Sequence, residues 1–317
     1  EKVLKISSLK EESKWVRDFR LTGFETFQKI GMPEFGPEIN LNFDNIIYYK
    51  ANEKDMMLAN DWNNILKPVR DELDSLGVLE SEQHLGGMGV QYESEVIYHN
   101  MIKELEEKNI IFTSIERAMK DYPELVKKYF GKIVNTNENK FSALNSAVFS
   151  GGSFIYVPKN TTLERPLQSY FRINSKNMGQ FERTLIIVDD NSSLHYVEGC
   201  TAPTYSESSL HAAVVEIYVG KNSKCRYSTV QNWAKNVYNL VTKRALVEEA
   251  GTMEWIDGNI GSKVTMKYPC CVLKGDNSSG TCITISVAKE FQEQDSGARM
   301  IHIGKNTKSN IISKSIS

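Results

Sequence analysis

A chain of 317 residues with 38 basic and 40 acidic side chains has a net charge of −2, which gives nucleic acid or an anionic membrane no electrostatic hold. No apolar run reaches the length of about 18 residues that a membrane-spanning helix needs, and no charged-then-apolar leader opens the chain, which begins with Glu1 rather than Met. Five cysteines at irregular spacing, with Cys270 and Cys271 adjacent, fit a reducing compartment better than a secreted disulfide framework, so we expect the cytoplasm, with a plastid as the alternative.

Up to about residue 135 the patterning is helical. Trp15, Phe19, Phe24 and Phe27 share a stripe and predict a helix over 9–29, stopped by Gly31 and Pro33. Trp62, Ile65, Leu66, Val69 and Leu73 predict a second over 59–76, and Val96, Ile97, Met101 and Leu105 a third over 93–108. Gly86-Gly87-Met88-Gly89 lacks the strand and spacing of a dinucleotide cradle and reads as a loop. Thr113-Ser114-Ile115-Glu116 has capping-box form with Thr113 as N-cap, and Pro123 suits the first turn of a short helix ending at Gly131.

After residue 140 the period changes to two. Short β-type runs recur, among them Phe154–Val157, Leu167–Ile173, Thr184–Val188, Leu194–Glu198, Val214–Val219, Arg226–Gln231, Tyr238–Lys243 and Thr252–Ile256. Turn clusters such as Asp189-Asp190-Asn191, Gly220-Lys221-Asn222 and Gly304-Lys305-Asn306 separate them. The organisation expected is a helical domain over 1–135 and a β core over 136–317. Periodicity alone leaves sandwich, barrel and irregular solenoid open, because no strict repeat is visible. Sequons at Asn160, Asn191 and Asn277 read as loop composition.

Zinc is unsupported, since the five histidines form no HExxH and no CxxC pair occurs, and Gly275–Gly280 lacks the ending of a P-loop. The sharpest chemical signal is Leu194-His195-Tyr196-Val197-Glu198-Gly199-Cys200-Thr201-Ala202-Pro203. Gly199 should end a strand there and place Cys200 at a reachable rim with Glu198 two residues away. Arg172 and Asn174, then Thr229, Gln231 and Trp233, then Lys243 alternate along three further β-type runs. Such polar runs line either a wet channel or a solvated outer face.

The motifs themselves carry a resemblance. Asn145-Ser146-Ala147-Val148-Phe149-Ser150-Gly151-Gly152-Ser153-Phe154-Ile155-Tyr156-Val157-Pro158-Lys159, Tyr170-Phe171-Arg172-Ile173-Asn174, Glu198-Gly199-Cys200-Thr201-Ala202-Pro203, Gln231-Asn232-Trp233 and Val241-Thr242-Lys243-Arg244 follow one another as in the SufB/SufD family of the Suf iron–sulfur cluster assembly machinery. The chain resembles its SufB branch more than its SufD branch, from about Trp15 to the last residue.

The resemblance implies a right-handed parallel β-helix behind the helical N-terminal domain, and a scaffold rather than an enzyme. Cys200 would accept persulfide sulfur, with Glu198 and Lys243 beside it. Arg172, Asn174, Thr229, Gln231 and Trp233 would line the sulfur path. The implied cargo is a transient iron–sulfur cluster, and a reduced flavin (FADH2) is an expected electron source. The implied partners are the SufC ATPase, SufD or a second SufB copy, a sulfurtransferase fed by a cysteine desulfurase, and apo iron–sulfur proteins. Relatives continue past the Ser317 position through further β-helix and a C-terminal helical domain, where the remaining metal ligands and the ATPase docking surface are expected.

Persulfide transfer needs a thiolate, which a cation such as Lys243 or Arg172 would favour and Glu198 alone would oppose. Two alternatives stand beside this reading. One is a SufD-like structural partner without a reactive thiol. The other is a β-helix enzyme acting on polysaccharide, which would need paired acids on an open groove.

Overall fold

The protein is described by a computed structural model covering residues 1–51, 58–203 and 208–317. Strands of one long sheet begin at Ser193, Lys224, Thr252, Ser279 and Lys308, roughly every 30 residues, which is a solenoid repeat. They pair parallel and in register, so each coil lays its residues directly on those of the coil before. The result is a parallel β-solenoid of about five turns behind an N-terminal region rich in helix.

The repeat is written in the corners rather than in the strands. Asn160, Asn191, Asn222, Asn277 and Asn306 each turn one corner with φ between 52° and 59°, and Ala250 takes the same corner at φ 53°. Asparagine visits this left-handed region more readily than other side chains because its amide bonds locally. The Asn191 amide donates to Asn160 at 3.0 Å, and that of Asn222 to Asn191 at 3.3 Å. The next residue locks the coils together, the hydroxyls of Ser192 and Ser223 donating to Pro158 and Asp189 carbonyls at 2.6 Å. The sequons at Asn160, Asn191 and Asn277 are part of this ladder.

Strands Ser153–Val157, Arg183–Val188, Val214–Val219, Val237–Val247 and Cys270–Leu273 form the facing wall. The shorter Ser209–His211, Val264–Lys267 and Glu293–Ser296, which pair with the start of Val237–Val247 or with each other, make a third wall. Along each long-sheet strand the interior changes character. Tyr196, Tyr227, Trp255 and Cys282 stack in the first half with Ile186, Ile217 and Ala245 opposite, forming a dry core. The second half is polar.

The first coil is closed by the N-terminal region. Gly87–Tyr92 and Glu95–Met101 form an antiparallel hairpin whose first strand pairs parallel with Leu167–Arg172, and Ile111–Ser114 pairs antiparallel with Ser153–Val157. This corrects two expectations. Residues 93–108 are not one helix but a strand followed by the short helix Lys103–Glu107, and the glycine-rich run is strand rather than loop. Both faces of the hairpin are covered, so Ile97 and Tyr98 are buried side by side and the alternation that marks a strand is lost. At Gly87 a Cβ would meet the Asn100 carbonyl at 2.9 Å and Phe112 at 3.0 Å, which explains the glycine.

The helix expected over 9–29 is Lys14–Lys29, preceded by a separate helix Lys2–Leu9, and that over 59–76 is a 3-10 turn at Trp62–Asn64 followed by Lys67–Ser75. Ser114 rather than Thr113 caps the helix Ile115–Asp121, accepting from Arg117 N at 3.2 Å. Glu116 turns away to bind Lys10 and the Gly151 amide. Pro123 does open Pro123–Tyr129, and Gly131 follows at φ +70°.

Helix Lys140–Val148 plugs one flank of the solenoid. Asn145 donates to the carbonyls of Phe181, Glu182 and Ala212, while buried Arg183 pairs with buried Glu216 at 2.8 Å. Glu216 also accepts the amides of Gly131, Ile133 and Val134 at 3.0 Å each, fixing the preceding loop.

Candidate functional site

Strand Ser193–Thr201 does not stop at Gly199. It runs on to Thr201, because Gly199 leaves room for the Tyr170 ring, which would lie 2.9 Å from a Cβ there. Cys200 is therefore not at a rim. Its side chain points into the solenoid and is fully buried.

Register then dictates its neighbours. The row through Cys200 continues as Gln231, Asn259 and Ser286, and the adjacent inward row reads Glu198, Thr229, Asp257 and Thr284. The other walls bring Lys243 from Val237–Val247 and Lys267 from Val264–Lys267 into the same space. The groups close a ring. The Cys200 thiol donates to Glu198 at 3.7 Å, Glu198 lies 3.9 Å from Lys243, and Lys243 lies 3.5 Å from Asp257. Asp257 lies 3.4 Å from Lys267, which donates to Gln231 Oε1 at 3.2 Å, and Gln231 Nε2 returns to the Cys200 sulfur at 3.9 Å.

Two carboxylates and two ammonium groups balance within the ring, which is what permits four charges in a closed interior. Lys243 also donates to Thr229 at 2.7 Å and sits 4.5 Å from the Tyr227 ring centroid, while the Tyr227 hydroxyl donates to Glu198. A second chain enters through Gln231, whose Oε1 accepts from Asn239 at 2.7 Å. Asn239 contacts His211 Nδ1 at 2.7 Å, and His211 Nε2 pairs with Glu182. Trp233 packs its ring 4.7 Å from that of His211. Its Nε1 and both amide atoms of Asn259 are buried without a hydrogen-bond partner among the described residues.

The electrostatics correct one expectation. Burial, then Glu198 and Glu182, push the Cys200 thiol well above its ordinary value, and the two lysines offset this only in part. The resting group is a thiol, not a thiolate. Burial pulls Lys267 down to about 8 against the pull of Asp257, with Lys243 adding to the decrease. Lys243 is raised, since Asp257 and Glu198 outweigh its burial. Burial would raise Asp257, but Lys243 and Lys267 hold it below the usual carboxylate range.

Of the residues expected at the site, Cys200, Glu198, Lys243, Thr229, Gln231 and Trp233 meet inside the solenoid. Arg172 and Asn174 do not. Alternation puts Phe171 beside Cys200 on the inner face and Arg172 beside Thr201 on the outer one. There Arg172 pairs with Glu72 at 2.5 Å and donates to Thr201 at 2.7 Å, and Asn174 bonds Tyr92. Sequence reasoning missed Asp257, Lys267, His211, Glu182, Asn239 and Tyr227. The signal was present for Asp257, which sits 28 residues after Thr229, one coil on in the same register.

Structurally, then, this is a β-solenoid protein whose interior is divided into a dry half and a titratable half holding one thiol. Residues 6–169 match the SufBD protein N-terminal region, and residues 171–317 match the SufBD core domain of the SUF system for FeS cluster assembly. The chain is 55% identical to the iron-sulfur cluster assembly protein SufB of Bacillus subtilis, over 99% of its own length and 68% of the relative's. It is 57% identical to an iron-sulfur cluster assembly SufBD family protein of Staphylococcus aureus, with the same coverage. The chain belongs to the SufBD family of iron–sulfur cluster assembly proteins.

Proposed function

We propose that this chain is a SufB-type scaffold that takes sulfur onto Cys200 and builds a nascent cluster with it. The observation that carries the reading is the ring just described, in which a single inward thiol is linked to acids and lysines rather than to the apolar groups that surround Cys225 and Cys271. The step needs no redox partner. The Cys200 thiolate attacks the outer sulfur of a donor persulfide, the new Sγ–S bond forms, the donor's S–S bond breaks, and the departing thiolate takes up a proton. In this reading Glu198, 3.7 Å from the sulfur, takes the Cys200 proton into the ring, and Lys243, 3.9 Å from Glu198, stabilises the resulting charges.

A fully buried acceptor requires the coil to open. Opening by an ATPase partner of the SufC type, with SufD or a second SufB-type chain alongside and a sulfurtransferase or desulfurase as donor, supplies that work and the sulfur. Among the described residues no group of three or more His, Cys, Asp or Glu is arranged to hold a metal ion, so the iron ligands are assigned to residues outside them and to the partner. The glycine-rich run is strand, leaving no dinucleotide cradle there, and the reduced flavin is assigned no site on this chain. The paired acids of the site are sealed inside, which gives the polysaccharide alternative no open groove.

Loss of sulfur loading and of the cluster's visible absorbance in Cys200→Ser, with both retained in Cys225→Ala, is the expected result for the full-length protein with its partners. Full loading of Cys200→Ser would refute it.

A further inference from the structure

The ring contains one group for which neither family membership nor the sulfur-acceptor role of Cys200 provides a task. Lys267 is fully buried, carries no salt bridge other than that to Asp257 among the described residues, and must share that carboxylate with Lys243. It reaches Cys200 by two routes. On one side Gln231 bridges them, accepting from Lys267 at 3.2 Å and approaching the sulfur at 3.9 Å. On the other side acid and base alternate, through Asp257, Lys243 and Glu198, back to the thiol. Both ends of a proton path therefore lie inside one closed ring.

We propose that Lys267 is the positioning residue that sets the ionisation of Cys200, holding within the ring the proton that Cys200 gives up when it attacks a persulfide. This rests on Cys200 being the sulfur acceptor. The charged and titratable groups facing Lys267 are Asp257 from its own coil, Cys282 from the next, Glu198 and Cys200 from two coils before, and Lys243 from the facing wall of the coil between. With both lysines charged the ring is neutral and a thiolate forms only by expelling a proton. Once Lys267 has lost its proton the ring is at −1, and moving the thiol proton to that lysine forms the thiolate with no further change of net charge.

When Lys267 is neutral, the proton moves from sulfur to the ring, Sγ bonds the outer sulfur of the donor, the donor S–S bond breaks, and the leaving thiolate is protonated in turn. Atoms and charge balance without an oxidant. Two sites coupled in this way lose their first proton together, with a single apparent pKa that belongs to the pair. Lys267, pulled down to about 8, places that first loss close to neutrality, whereas Cys200 alone would ionise far higher.

The test is the pH profile of persulfide formation on Cys200 in the full-length protein. A small-molecule persulfide serves as donor, loading is read by mass spectrometry of the Cys200 peptide, and each variant is expressed as a ratio to wild type at the same pH so that donor ionisation cancels. For Lys267→Met the ratio should fall at least tenfold at pH 7 and climb towards unity between pH 8 and 10, because the wild type levels off while the variant's thiol continues to ionise. Lys267→Gln keeps a hydrogen-bonding group towards Gln231 without the charge, guards against a packing artefact, and should follow the same course. A ratio that is the same at every pH in both variants, whether near unity or uniformly low, overturns the proposal. Loading that persists in Cys200→Ser overturns the acceptor reading itself, and this proposal with it, and is told apart by that variant alone.

Discussion

Asp257→Asn removes the carboxylate that two buried lysines share. At about 3.5 Å and an effective dielectric of about 20, each contact carries roughly 5 kcal/mol of Coulomb attraction before desolvation is counted. Desolvation removes most of this from the net, but it does not return when one partner is deleted, and breaking a buried pair costs about 3–5 kcal/mol. Lysine limits the loss by giving up its proton. In the wild type Lys267 is depressed from 10.5 to about 8, so the unfolded chain binds more protons than the folded one between those values and stability rises with pH there. Without Asp257 the folded value drops further and the window opens at lower pH. The variant then gains stability on going from pH 6 to pH 8, where the wild type, with Lys267 mostly protonated until the pH nears about 8, gains little from this group. Urea unfolding at pH 6 and pH 8 measures both. The expected deficit is about 3–5 kcal/mol at pH 6 and clearly smaller at pH 8. A deficit below about 1 kcal/mol, or one identical at the two pH values, refutes the reasoning.

Glu216→Gln breaks the pair with Arg183 and weakens the hold on three loop amides. It should cost about 3–5 kcal/mol in urea unfolding and speed hydrogen exchange at Gly131, Ile133 and Val134. Ala250→Asn puts the ladder's residue into the one corner that lacks it and should add about 1 kcal/mol, read as a rise of about 2 °C in Tm. His211 is buried, yet Glu182 raises it above its ordinary 6.5. Its contribution is complete below that value and lost as pH rises through the higher folded one, so His211→Gln should lessen the decline in stability as the pH rises above 6.5, measured by unfolding at each pH.

The β-type runs located most strands, and Val214–Val219 coincides with one of them to the residue. Chemistry shortened the runs on the long sheet. Glu198, Thr229 and Asp257 face inward, so alternation ends at Glu198, Gln231 and Ile256 where the strands run on to Thr201, Trp233 and Gly261. The same rule mistook the two-sided hairpin at 87–101 for loop and helix. The solenoid hid because its repeat lies in single corner asparagines, while its strands share only a pattern of size and polarity. Cys200 and Glu198 were legible as a pair from their motif, whereas Lys267 and Asp257 come from strands 67 and 57 residues further on, and only coil stacking brings them to the thiol.

The most direct measurement is peptide mapping of the full-length protein after exposure to its sulfur donor, scoring which of the five cysteines carries an added sulfur. The account predicts the mass of one or more extra sulfur atoms on the Cys200 peptide and none on those of Cys225, Cys271 or Cys282. Sulfur on those peptides with Cys200 unmodified would contradict it.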